Sequence, residues 1–337
     1  MDDRAIALLE LYDIEIIKTA KGRAAFLCDT NKGCLIFKEY FGNEYRLSMQ
    51  DKLLKHIEKV GVIPAESLIP NKEGQLFVKD ADGTKYILKT YSEGRECNIR
   101  DRDECLAAVK QLAGLHQSMY IPYNECEAFE YSYFSPAREY EKRNRELKRV
   151  QKYLMKKRQK TDFERDLLNQ FSFFLDQALC VEEEWKYYEN LLPMGDEQNK
   201  PKDGVTFCHG DYQYHNLLWR NDGWNIINFE KCIVDDQIRD LHLWMRKILE
   251  KNDWLVSLGK DLLETYIKER NISAASFIDL YYRLSYPEKF WKIVNYYYNS
   301  GKSRIPEKNQ EKLSKLAGQE KDKQIFLDEV FKKYYLK

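Results

Sequence analysis

Val205-Thr206-Phe207-Cys208-His209-Gly210-Asp211-Tyr212-Gln213-Tyr214-His215-Asn216-Leu217-Leu218-Trp219 sets a crowded polar loop between two apolar, strand-like runs. Polar groups packed that densely are costly to desolvate unless they bond to one another or to a ligand. Asp211 and Asn216 stand in the pattern D-x-x-x-x-N. That is the spacing by which a phosphotransferase loop offers a carboxylate to the acceptor hydroxyl and an amide oxygen to Mg2+. Next, Asn225-Ile226-Ile227-Asn228-Phe229-Glu230 reads as a strand ending in polar residues. In such an architecture the residue after the strand holds the metal that bridges the nucleotide phosphates. The catalytic-type loop thus runs over 207–230.

Upstream of this loop the chain changes character twice. Ile14–Lys18, Arg23–Cys28 and Cys34–Tyr40 are rich in β-formers and separated by Lys21-Gly22 and Thr30-Asn31-Lys32-Gly33, which predicts three antiparallel strands. A helix is expected from about Glu44 to Val60, stopped by Gly61 and Pro64. Residues 75–79 and 85–91 flank Ala81-Asp82-Gly83 as a further hairpin. From Arg102 onward the apolar residues recur at helical spacing. The expected fold class is therefore α+β and bilobal. Residues 1–94 form a small lobe of five antiparallel strands and one helix, and residues 95–337 form a large, mainly helical lobe.

Composition narrows the function classes. The 337 residues carry 55 Lys+Arg against 55 Asp+Glu, so long-range attraction to nucleic acid or anionic membrane lacks its usual driver. Arg138 to Lys160 is the one strongly basic stretch, and it reads as the solvated face of a long helix offset by Glu182-Glu183-Glu184. The expectation is no nucleic-acid partner. No run of about 18 apolar residues occurs, and Met1-Asp2-Asp3 opens no signal peptide, so no membrane partner and a cytoplasmic location are expected. The 8 Cys include no C-x-x-C pair and read as reduced thiols, although Cys28 and Cys34 could meet across a hairpin. His209 and His215 flank Asp211, but no G-x-S-x-G elbow accompanies them, which favours structural roles over a hydrolase triad. The aromatic run from Tyr281 to Tyr298 has the spacing of core.

The segments His209-Gly210-Asp211 to Asn216, Ile227-Asn228-Phe229-Glu230 and Asp235 to Leu241 resemble the aminoglycoside phosphotransferase and choline kinase superfamily, whose fold is protein-kinase-like. Within it, Tyr91 to Cys97, the basic run ending at Lys156 to Thr161, and Tyr286-Pro287-Glu288-Lys289-Phe290-Trp291 resemble the spore coat protein S family. The resemblance spans nearly the whole chain. It implies ATP and Mg2+ as cofactors and Asp211 as base or orienter. Lys38 would bind the α- and β-phosphates, Asn216 and Asn228 would stand at the metal, and Tyr91, Ser92 and Glu93 would form the hinge that meets adenine. Thr19 to Arg23 would cover the phosphates. His209 and Asp240 would support the loop, the latter as its buried brace or, on a plainer reading, as a helix N-cap.

Two departures from the family pattern bear on activity. Asn228 stands where members place a metal-binding aspartate, and it keeps one oxygen donor but loses the charge that holds a hard cation. Gln50 stands where the glutamate partner of Lys38 is expected, with Asp51 and Glu44 as nearby substitutes. Glu230 is a candidate replacement carboxylate. Two functions are consistent with this pattern. One is ATP-dependent phosphorylation of a small hydroxyl acceptor through a weakened metal site. The other is a catalytically impaired pseudokinase serving as a structural or interaction component among other spore coat proteins.

Overall fold

The computed structural model describes residues 7–22, 25–122, 135–191, 204–220, 223–299 and 306–335. Residues 194–203 of the stretch 194–204, whose composition predicts a polar loop, Arg23 of the expected phosphate-covering turn, and Cys126 lie outside the described residues. By its contacts the chain forms two compact units, Met1–Glu130 with Gly204–Leu243, and Tyr131–Asp203 with Trp244–Lys337.

In the first unit, β1 (Ile16–Gly22), β2 (Ala25–Thr30) and β3 (Gly33–Glu39) precede α1 (Glu44–Val60). Then follow β4 (Leu68–Ile69), β5 (Val78–Lys79) and β6 (Lys85–Thr90). They build one antiparallel sheet in the order β1-β2-β3-β6-β4, with β5 also on β6. It has six strands where the sequence suggested five. The extra one, β4, has only two residues and shows no alternation to read. Helix α1 starts at Asn43, whose side chain accepts from the Arg46 amide, and stops at Gly61 in the left-handed region with φ 70°. An asparagine side chain can satisfy a free amide at a helix start, and glycine reaches a positive φ without a Cβ clash.

The register of this sheet sorts its side chains. Phe37 pairs with Leu88, Leu35 with Thr90 and Glu39 with Tyr86. Leu35, Phe37, Tyr86 and Leu88 therefore share a face and pack with Leu9, Tyr12 and Phe26 into an apolar core. Lys38 pairs with Ile87 and Ile36 with Lys89, which puts both lysines on the opposite face. Cys28 is opposite Leu35 and Cys34 opposite Asp29, so the two cysteines point to different faces of the hairpin and both thiols are free.

Two small sheets complete the unit. They are β11 (Gly223–Ile226), β10 (Leu217–Arg220) and β7 (Arg95–Glu96), and β12 (Ile233–Val234), β9 (Gly204–Cys208) and β8 (Tyr120–Pro122). Residues on both sides of the expected boundary at 94/95 fall in this unit, where Arg95 and Glu96 pair with Trp219 and Leu218. Helix α2 (Arg102–Ser118) belongs to the same unit.

The second unit is helical. It contains α3 (Pro136–Lys156), α4 (Asp162–Leu191), most of α5 (Ile238–Lys251), α6 (Val256–Glu269), α7 (Ala274–Ser285), α8 (Glu288–Asn299) and α9 (Pro306–Tyr335). Helix α3 buries Tyr140, Leu147, Val150 and Leu154 while Arg138, Lys142, Arg145 and Lys148 face solvent. Its basic run is thus the polar side of an amphipathic helix. Tyr282, Tyr286, Phe290 and Tyr297 lie in the core, with Phe174 stacked on Phe290 at 4.7 Å and Tyr140 on Tyr286 at 4.8 Å. Among the described residues no helix is long and apolar enough to cross a membrane.

Candidate active site

The loop that follows β9 is held from below by Asp240. Its Oδ2 accepts from the His209 backbone amide at 2.6 Å and from His116 Nε2 at 3.3 Å, and its Oδ1 accepts from the Gly210 amide at 2.9 Å. Both Asp240 and His116 are fully buried. Burial pushes the Asp240 carboxyl pKa up, but the His116 hydrogen bond and charge, with His209 and the Gly210 amide, outweigh it and hold the group below its ordinary value. Asp240 is the third residue of α5, and its carboxylate accepts from the loop, as a brace requires, while its own amide donates to the Gln237 carbonyl.

His209 is locked by two neighbours. Its Nε2 lies 3.0 Å from the Ile227 carbonyl, and its Nδ1 accepts from the Asp211 amide at 3.1 Å. Those partners assign one proton, on Nε2, and burial lowers the imidazole pKa, so the ring is neutral. Gly210 cannot be another residue: at φ 77° an added Cβ would collide with the Lys231 carbonyl oxygen.

Asp211 points its carboxylate at Lys231 Nζ, 2.9 Å away, and receives the Gln213 amide. Desolvation acts to raise its pKa, yet the Lys231 hydrogen bond and charge keep the group ionised below the usual aspartate value. Asn216 closes the loop with its Nδ2 donating to the Asp211 carbonyl at 2.8 Å. The Asn216 Oδ1 in turn accepts from Asn228 Nδ2 at 2.8 Å. Asn228 itself sits at φ 68°, ψ 57°, a left-handed conformation that asparagine tolerates better than most residues.

Around Asn228 lies a network of four charges. Lys89 Nζ donates to Glu66 Oε2 at 2.7 Å, to Asn228 Oδ1 at 2.9 Å and to Glu230 Oε1 at 2.9 Å. Lys38 Nζ donates to the same Glu230 oxygen at 2.9 Å. Glu66 also accepts from the backbone amides of Asn228 at 2.8 Å and Phe229 at 3.0 Å. Lys89 and Glu66 are 3% and 1% exposed, whereas Lys38 and Glu230 are 27% and 20% exposed, so the first pair is structural interior and the second reaches solvent. The Lys89–Asn228 bond fixes the orientation of the Asn228 amide, because the reverse would set an NH2 against an ammonium. Burial acts to lower the Lys89 pKa, but the two carboxylates hold it above the ordinary lysine value.

The remaining expected site residues are placed as follows. Gln50 is buried in α1 with neither amide atom bonded, and the partner of Lys38 is Glu230 instead. Asp51 pairs with Lys55, and Glu44 with Lys85 and Lys79, so neither substitutes for it. The Tyr91 amide donates to the Cys34 carbonyl, Ser92 Oγ receives Asn225 Nδ2, and Glu93 is exposed. Gly94 is closed in on the Trp219 carbonyl, where a Cβ would come within 2.8 Å.

The donors present do not fit Mg2+. A divalent ion of this type wants several free oxygen donors, at least one or two of them carboxylate. Here Asn216 Oδ1 serves Asn228, Asn228 Oδ1 serves Lys89, both Glu66 oxygens serve Lys89 and the Asn228 and Phe229 amides, and Glu230 Oε1 serves both lysines, so most of the oxygens are engaged. Among the described residues no group of three or more His, Cys, Asp or Glu is placed to hold a metal.

Sequence reading missed Lys89 and Glu66. The available signal was an ionisable residue within the apolar strand Tyr86-Ile87-Leu88-Lys89, where a charge is tolerated only when paired. Glu66 is carried to it by a parallel bridge between Ala65 and Ile226.

Glu230 gives the site a pH dependence. Burial opposes its ionisation, but Lys89 and Lys38 hold its carboxyl well below the unfolded value of about 4.3. A depressed carboxyl contributes stability above the unfolded pKa and loses it as pH falls through the folded one. Urea unfolding at about pH 6 and about pH 3 is expected to show a larger loss for the natural protein than for Glu230→Gln. Equal losses would mean that the carboxylate does not support the lysines.

The chain as a whole matches a known family and known folds. The family described as Spore coat putative kinase YutH matches over residues 6–330. The chain belongs to that family. Among solved structures, an aminoglycoside phosphotransferase from Alicyclobacillus acidocaldarius subsp. acidocaldarius DSM 446 superposes with a TM-score of 0.80 at 17% identity, covering 97% of this chain and 95% of that one. Amicoumacin kinase hAmiN, in complex with AMP-PNP, Ca2+ and Ami, gives 0.57 at 14% identity over 98% and 94% of the two chains. Choline kinase from Cryptosporidium parvum Iowa II gives 0.51 at 13% over 98% and 94%. No curated protein matches the chain in sequence. The fold of the family member described here is therefore the α+β, protein-kinase-like fold of the aminoglycoside phosphotransferases and choline kinases.

Proposed function

We propose that the protein is a catalytically impaired kinase-fold component of the spore coat, acting through binding or interaction and not through efficient phosphoryl transfer. One observation carries this reading: Asn216 and Asn228, the two residues at the expected metal position, bond to each other at 2.8 Å through their side chains. An aspartate at 228 could not make that bond, because it has no donor to offer Asn216 Oδ1. The Asn at 228 is therefore a working part of this arrangement. In the fold, Mg2+ supplies the charge that bridges and neutralises the nucleotide phosphates during transfer. With most of the oxygen donors for it engaged elsewhere, Lys38 and Asp211 can still bind and orient an anion and a hydroxyl. Membership of a spore coat family supports a coat association, and the AMP-PNP held by amicoumacin kinase hAmiN supports a nucleotide as ligand.

A second reading, ATP-dependent phosphorylation of a small hydroxyl compound, is favoured by the ionised Asp211 at its loop position. The two are separated by measuring ATP consumption with Mg2+ across amino-alcohol and aminoglycoside acceptors in the natural protein, Asp211→Asn and Asn228→Asp. The proposed function gives all three the same background rate, with no gain for Asn228→Asp. Turnover by the natural protein that Asp211→Asn abolishes would overturn it, as would a gain of about tenfold or more in Asn228→Asp, equivalent to about 1.4 kcal/mol of barrier.

A further inference from the structure

The lysine on β6 poses a question beyond impaired transfer: what does a fully buried ammonium do at the centre of a kinase-like site? An ammonium has three protons to donate and no acceptor capacity. Lys89 finds three oxygens, Glu66 Oε2, Asn228 Oδ1 and Glu230 Oε1, all between 2.7 and 2.9 Å. They come from two separate places in the sequence, Glu66 and the Asn228–Glu230 segment, and every one is the type of donor that a hard cation selects. Charges balance as well, since Lys38 and Lys89 face Glu66 and Glu230 while position 228 is neutral. An aspartate at 228 would leave that set one negative charge in excess. The asparagine and the lysine are thus two halves of one arrangement.

We propose that the Lys89 ammonium is the resident cation of this site, engaging the Glu66, Asn228 and Glu230 oxygens beside the expected metal position and so excluding divalent metal from it. This deepens the reading of an impaired kinase fold and rests on it for the meaning of the site, but its test uses metal alone and no nucleotide, acceptor or coat protein. Lys89→Met removes the ammonium, keeps an unbranched side chain of similar length, and leaves Glu66, Glu230 and the Asn228 oxygen facing the vacated space. Lys89→Gln does the same with a neutral polar group, in case the methionine variant does not fold.

Mn2+ is titrated into the natural protein, Asn228→Asp, Lys89→Met and Lys89→Gln, and its binding is followed by the loss of the free-ion electron paramagnetic resonance signal. The natural protein and Asn228→Asp are expected to leave the signal of free Mn2+ unchanged at millimolar concentrations. At least one folded Lys89 variant is expected to bind one Mn2+ at least about tenfold more tightly, and to gain thermal stability with added Mn2+ as a ligand of the native state does. Added Glu66→Gln should abolish the gain. Binding of Mn2+ by the natural protein as tight as in the variants would overturn the proposal. So would folded Lys89 variants that bind none. Detection of ATP turnover would count against the proposed function and leave this result standing on its own.

Discussion

Asp240→Ala is expected to lower the unfolding free energy by about 3–5 kcal/mol, the range for removing one partner of a buried charged cluster. The size follows from what is left behind. The His209 and Gly210 amides would lose their acceptor, and His116 would lose the Asp240 carboxylate in a fully buried place. Each orphaned donor costs about 1–3 kcal/mol, because water cannot replace the lost oxygen. Asp240→Asn should cost less, since one amide oxygen remains to accept. Urea unfolding checks this, and a loss below about 1 kcal/mol for the alanine variant would mean that the loop is held by other contacts.

Glu66→Ala is the second large effect, again about 3–5 kcal/mol. Glu66 is almost wholly buried and serves three donors, the Lys89 ammonium and the amides of Asn228 and Phe229. Its removal leaves Lys89 sharing one carboxylate with Lys38, and it frees the left-handed turn at Asn228 from the bonds that hold it. Glu230→Ala is expected to cost less, although Glu230 meets both lysines, because its side chain is one-fifth exposed and water can enter to solvate them. The ranking of the two variants in one unfolding series is the check. A larger loss at Glu230 than at Glu66 would reverse the view of which carboxylate anchors the network.

What could be read from the sequence follows the range over which each feature is encoded. The span of helix α1 was legible because Gly61 and Pro64 mark its end locally; its Asn43 cap was not read. The grouping of Asp211, Asn216 and Asn228 was legible because loop and strand end lie close in sequence. Lys38 was singled out by its order along the chain, and the structure sets it against Glu230. Lys89 and Glu66 were not, because what joins them is tertiary: the β3–β6 register turns Lys89 toward the face of Lys38, and the Ala65–Ile226 bridge delivers Glu66 from outside any regular helix. Gln50 shows the converse. Its place in α1 was legible, but position alone could not tell that its amide would be left unbonded while Lys38 turned to Glu230. The two-residue β4 was invisible for a simpler reason, since alternation needs more residues than it has.

Calorimetric titration with ATP, run in parallel with Mg2+ and with chelator, tests most directly whether this kinase-like site has given up its metal. The ammonium of Lys89 and the Asn216–Asn228 bond lead to the same affinity in both titrations, or to none in either. ATP binding that requires Mg2+ and vanishes with chelator would contradict the account.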